Sequence, residues 1–187
     1  MNMVVTSEPE IAQELTGTER LLWAGQPRQG IVLRPSDVFM IPFSLLWGGF
    51  AVFWETGVIL EGAPWFFALW GVPFVLVGFY IVVGRFFWDA RRRSRTFYGL
   101  TDQRAIIVSS GTSRKVKSLN LKTLSDISLT EKSDGTGTIT LGPGNSLAWS
   151  WAGTNWPGVP QGPPSFEMVQ DAKQVYDILR QAQSEST

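Results

Sequence analysis

The sequence predicts an α+β membrane protein, a two-helix transmembrane hairpin followed by a small β-barrel or sandwich capped by a C-terminal α-helix. Three observations predict it. Two long uncharged runs occupy the first half of the 187-residue chain. Composition changes sharply at Ser94, after which short alternating segments are separated by turn residues. The chain then closes on one amphipathic helical pattern.

Composition narrows the chemistry. Lys and Arg number 16, as do Asp and Glu, so the formal net charge is zero and no whole-chain case for nucleic-acid binding arises. Only 17% of residues are charged, below the roughly 25% of soluble domains. With neither Cys nor His, the chain has no thiol nucleophile, no disulfide framework, no Cys or His metal ligand and no His-based triad. No Gly-x-Ser-x-Gly motif occurs either. The expectation is a protein without catalytic residues, metal or cofactor.

Residues 1–36 read as a cytoplasmic N-terminal segment, in which Leu21 to Pro27 is either a strand or an interfacial stretch. Val38–Trp54 is a run of 17 uncharged residues and Ala63–Gly84 a run of 22. A spanning helix needs about 20 apolar residues, within about 17–25. Pro42, Pro73 and several glycines weaken a soluble helix but are common in membrane helices. Trp54, Trp65 and Trp88 lie at run ends, where amphipathic rings favour the interface. The hairpin is expected over 37–88, with spans at about 38–54 and 63–84.

Basic residues set the orientation. The connector 55–62 has no Lys or Arg, whereas Arg20, Arg28 and Arg34 precede the first run and Arg85, Arg91, Arg92, Arg93 and Arg95 follow the second. The positive-inside rule then puts both termini of this multi-pass membrane protein in the cytoplasm. Arg91, Arg92, Arg93 and Arg95 form a candidate lipid-facing cluster, each basic residue near an anionic surface contributing about 1 kcal/mol.

Residues 95–183 read as the folded cytoplasmic domain, with 184–187 a frayed tail. Strands are expected at 96–100, 104–109, 115–121, 126–131 and 137–141, with a turn at Ser133-Asp134-Gly135. Ser146–Trp151 alternates again, and 152–165, with four prolines and three glycines, is a loop. Ser165 is placed to cap the final helix, whose stripe is Val169, Ala172, Val175, Tyr176, Leu179 and Ala182.

Several residues are candidates for a ligand or partner surface. Asp102, in Thr101-Asp102-Gln103-Arg104, is expected to bond its own turn, while Arg104 either pairs with Asp102 or reaches a phosphate. Arg114, Lys115, Lys117 and Lys122 make a basic stretch, which is either a solvated edge or a patch for anionic phospholipid or an acidic partner. Trp149, Trp151 and Trp156 are either core, a partner surface or a membrane-dipping loop. Gly142-Pro143-Gly144-Asn145 lacks the Lys of a phosphate-binding loop and reads as a turn.

Three stretches carry a family likeness: Glu19 to Pro27; Tyr98-Gly99-Leu100-Thr101-Asp102-Gln103-Arg104-Ala105-Ile106-Ile107; and Leu124 to Ile127 with Gly135 to Ile139, followed by the helix from Phe166. In this order of parts the chain resembles the membrane-anchored bacterial PH-like (pleckstrin-homology-like) family. The resemblance implies a seven-stranded PH-like β-barrel capped by a C-terminal helix, and a binding or scaffolding role without shared catalytic residues. The expected function is a membrane-tethered module that recruits or assembles a protein partner or a homo-oligomer, or engages anionic lipid. The alternative is an accessory subunit of a membrane enzyme or transporter.

Overall fold

The structure, a computed structural model, describes residues 4–33, 37–111, 113–143 and 163–186, with the backbone alone for residues 4–6. The chain divides into two compact units: residues 1–30 with 91–187, and residues 31–90.

The first unit contains two antiparallel sheets. One has the order β1 (Leu21–Gly25), β2 (Thr96–Thr101), β3 (Arg104–Ser110), β4 (Arg114–Asn120). The other has the order β5 (Ile127–Glu131), β6 (Gly137–Leu141), β7 (Ser165–Val169). Helix α1 (Val4–Ala12) precedes β1, and a C-terminal helix, numbered α5 here (Ala172–Ser186), follows β7. The strands follow the expected alternation, since Tyr98, Leu100, Ala105 and Ile107 face one way and meet Ile139, Leu141 and Phe166 of the second sheet in one core. Helix α5 closes that core with Val175, Leu179 and Ala182, and its Gln183 amide donates to the carbonyls of Leu121 (3.2 Å) and Leu124 (2.8 Å).

Three expectations are corrected. The strands form two sheets, and no ladder joins them into a closed barrel among the described residues. Ser165 does not cap a helix: Ser165–Val169 is strand β7, because Phe166 and Val169 are drawn into the core and the segment pairs with β6. Helix α5 starts only after Asp171, a residue with φ of 51°. Of the two readings of Leu21 to Pro27, the structure has the strand: β1 pairs with β2 across the sheet although the whole second unit lies between them in sequence.

The second unit is an antiparallel helix pair. Helix α2 covers Asp37–Leu60, and its partner runs as α3 (Trp65–Phe79), a π-helical turn (Tyr80–Gly84) and α4 (Arg85–Ser94), whose last residues belong to the first unit. Helix α2 continues past the expected boundary at Trp54 because its first polar residues are accommodated locally. The Thr56 hydroxyl donates to the Val52 carbonyl (2.7 Å), and Glu55 lies over Gly71, where a Cβ would fall 1.6 Å from Glu55 Oε2. Glycines bring the backbones together again at Gly48 and Gly78, where a Cβ on Gly78 would sit 3.0 Å from the Gly48 Cα. The buried Ser44 hydroxyl satisfies itself on the Ile41 carbonyl (2.8 Å), and Arg85 pairs with Asp37 (3.0 Å).

Beyond this seam the pair is apolar on its outward faces. Phe53 is 77% exposed and Trp70 68%. A soluble surface helix turns charged residues outward, and these helices do not. Both are long and apolar enough to cross a membrane.

Candidate interaction surface

The four-stranded sheet has two covered faces. Its inner face lies in the core just described. On the outer face, Ala24, Ile106 and Val108 are buried with Ile11 of α1, flanked by Leu15, Leu21 and Phe97. Ile11 reaches the sheet at Gly99, where a Cβ would meet Ile11 Cγ2 at 2.5 Å, so glycine is what allows the helix to approach.

Two arginines frame this strip. Arg104 does not pair with Asp102 and is not open to a phosphate. Its Nε lies 2.8 Å from Glu19 Oε1, its Nη2 donates to Glu19 Oε2 (3.0 Å) and to the Glu14 carbonyl (2.9 Å), and its Nη1 donates to Ser118 Oγ (3.1 Å). The Nη2–Oε2 hydrogen bond is charge-assisted and so stronger than a neutral one, whereas Nε meets Oε1 as an ion pair without a hydrogen bond among the described residues. Arg114 donates to Glu14 Oε1 (2.7 Å) and Gln13 Oε1 (3.2 Å), with Glu10 at 4.0 Å. Asp102 serves another turn than its own, since its Oδ1 accepts from the Arg20 amide (3.1 Å) while its amide donates to the Arg20 carbonyl (3.1 Å). The turn itself is held by the Thr101 hydroxyl, which accepts from the amides of Gln103 and Arg104.

The carboxyl of Glu19, with a side chain 5% exposed, is under two opposed influences. Burial raises its pKa; hydrogen bonds from Arg104 and Thr16, with the Arg104 charge, outweigh burial and hold it below the ordinary 4.5. A carboxylate depressed in the folded state stabilises it fully above the unfolded value. That stability is lost as pH falls through the lower folded value. We therefore expect the urea midpoint of the first unit to fall as the pH is lowered below about 4.5, and Glu19→Gln to flatten that dependence. An unchanged pH profile in Glu19→Gln would remove the assignment.

The remaining candidates separate. Arg93 is corrected: it is 4% exposed and does not face lipid. Its Nη2 donates to the Gly30 carbonyl (2.6 Å) and its Nη1 to Met168 Sδ (3.3 Å), so its charge is spent tying the segment after β1 to β7. Beside it, Arg28 donates its amide to the Met168 carbonyl (2.8 Å) and its Nη1 to Asp134 (2.9 Å). Arg91 and Arg95 are exposed and Arg92 is half-buried. Lys115, Lys117 and Lys122 are exposed on or just after β4, the sheet's edge, where lysines discourage indiscriminate strand pairing. Trp149, Trp151 and Trp156 lie outside the described residues, as does Arg34. What the sequence reading missed is the acidic counterpart, Glu10, Glu14 and Glu19; the spacing of Glu10 and Glu14 by one helical turn was the available signal.

No family model matches the chain. No curated protein matches it. Among solved structures, it is similar to a DUF1696 family protein with a pleckstrin-homology domain from Shewanella loihica, at 10% identity and a TM-score of 0.42, over 96% of this chain and 92% of that one.

Proposed function

We propose that this chain is a bacterial membrane-tethered, PH-like binding module: α2 and the α3–α4 helix cross the inner membrane, and the first unit binds a partner at its cytoplasmic face. The observation that carries the reading is the outward apolar surface of the helix pair, which needs a hydrocarbon environment. A second observation supports the topology. Strands β1 and β2 are paired, so the chain enters and leaves the apolar pair from one folded unit. Paired strands lie on one side of any bilayer, which requires an even number of crossings between them. The arginines on that side make it the cytoplasmic one. Arg91, Arg92 and Arg95, with Lys115, Lys117 and Lys122, then offer anionic head groups a contact that supplements the tether.

Because the natural chain has no cysteine, single-cysteine variants report topology cleanly. Glu61→Cys in intact cells should react with a membrane-impermeant maleimide, and Lys115→Cys should react only after permeabilisation. Reaction of Lys115→Cys from outside, or recovery of the chain in the soluble fraction, would reject the reading.

One observation favours a second role, as accessory subunit of a membrane enzyme or transporter. Glu55 is an ionisable residue in the helix pair, and its buried Oε2 accepts no hydrogen bond among the described residues. Under that role Glu55→Gln should leave insertion intact and impair the partner's activity; for a plain tether it is neutral.

A further inference from the structure

We propose that the outer face of the four-stranded sheet, between Arg104 and Arg114, is a docking site for an acidic amphipathic helix of a partner protein, and that the chain's own N-terminal arm is a displaceable occupant of that site. The proposal rests on reading the first unit as a binding module; failure of the tether shows as a chain that does not enter nanodiscs, which is distinct from every exchange and binding outcome below.

The face has the features of a helix site. An apolar strip of Ile106 and Val108 runs between two guanidiniums, and Gly99 leaves a depression that receives one side chain, Ile11. The occupant matches it: Ile11 is the knob, and Glu10 and Glu14, one turn apart, flank it and face Arg114. A knob between carboxylates is what an amphipathic helix presents in a groove. A lipid surface presents no knob, which is why a helix is favoured over head groups here.

The occupant is also weakly held. Helix α1 has nine residues, fewer than the roughly 12–15 at which isolated helices become even marginal. Pro9 lies within it and removes one of its backbone hydrogen bonds. Of its described side chains, only Ser7 and Ile11 are buried. Its ion pairs lie at the surface: Arg114 and its partners Glu10 and Glu14 are partly solvent-exposed, so salt screens them. Elements held this way open well below the cost of global unfolding. The face they cover belongs to β2 and β3, which the inner core holds independently.

The first measurement uses the intact chain in nanodiscs. Amides of α1 should exchange hydrogen roughly a hundredfold faster than those of β2 and β3, and faster still in high salt. Exchange of α1 at the rate of the sheet would show an integral element and overturn the proposal. The second uses a chain lacking residues 2–15 and a fluorescent peptide of residues 4–15. The peptide should bind the shortened chain and bind the intact one at least about tenfold more weakly, because the arm competes. Ile11→Ala in the peptide, or Arg114→Gln in the shortened chain, should each cost about tenfold or more. Equal binding to both chains, or none to a shortened chain whose sheet amides remain protected, would overturn it. So would release of the arm in the intact chain by phosphatidylglycerol nanodiscs but not phosphatidylcholine ones, which would assign the face to lipid.

Discussion

Leu76→Arg is expected to reduce membrane insertion by roughly two to three powers of ten. Leu76 lies mid-way along the longer apolar helix and is 62% exposed. At the centre of a spanning helix, Leu favours insertion by about 0.3–0.6 kcal/mol and Arg opposes it by about 2.5–3.5 kcal/mol. The difference, about 3–4 kcal/mol, sets that factor, since each 1.4 kcal/mol is tenfold. Were the helix pair a soluble element, the same exchange at an exposed position would change stability by about 0.5 kcal/mol or less and improve solubility. Resistance to alkaline extraction from membranes separates the outcomes. Trp65→Arg is the internal control, because at the end of the span the arginine reaches the interface and the penalty is small. A soluble, natively folded Leu76→Arg chain would end the membrane reading.

The second large effect belongs to the core of the first unit. Phe166 has no exposed surface and is stacked on Tyr98 with ring centroids 4.8 Å apart, while Trp23 lies at 5.8 Å. Its neighbours belong to β2 and β1 of one sheet and its own backbone to β7 of the other, so this ring bridges the two sheets. The Tyr98 hydroxyl accepts from the Glu167 amide (3.1 Å) and fixes the same junction. Phe166→Ala is expected to cost about 3–5 kcal/mol through lost burial and the cavity left behind. That is a large share of the 5–15 kcal/mol that holds a typical domain together. Denaturant unfolding of the full chain, followed by near-ultraviolet circular dichroism of the packed aromatics, measures it. A loss below about 1 kcal/mol, the typical effect of an arbitrary substitution, would show that the sheets are joined elsewhere.

Periodicity made the local structure of the first unit legible. Asp126 to Glu131 alternates and contains strand β5, because a half-buried strand imposes a two-residue repeat on its own sequence; Lys115 to Asn120 also lies in a strand, but β4 is exposed along nearly its whole length, so burial does not account for its pattern. The turn around Gly135, with φ of 77°, was legible for the same reason, as glycine tolerates that backbone. The apolar runs were legible as helices from length and composition. What did not appear in the sequence is whatever depends on distant partners. Ser165–Val169 carries the stripe of a helix start, yet pairing with β6 and the stacking of Phe166 make it a strand. Arg93 belongs by composition to an exposed basic cluster, yet it is buried against partners distant in sequence, the Gly30 carbonyl and Met168 Sδ. The site was half legible: its arginines stood out as charges, whereas their occupation by Glu14 and Glu19 depends on a fold that returns the N-terminus to the sheet.

That return constrains synthesis. Strand β1 leaves the ribosome before the apolar helices, and β2, its hydrogen-bonded neighbour in the sheet among the described residues, follows them. The nascent strand must therefore remain unpaired while both helices are made, its edge open to any other extended chain. Losing α1 and β1 by starting translation later would leave β2 as a new open edge. A shortened polypeptide beginning at Arg95 lacks β1 of this sheet, and its β2 then stands at the edge.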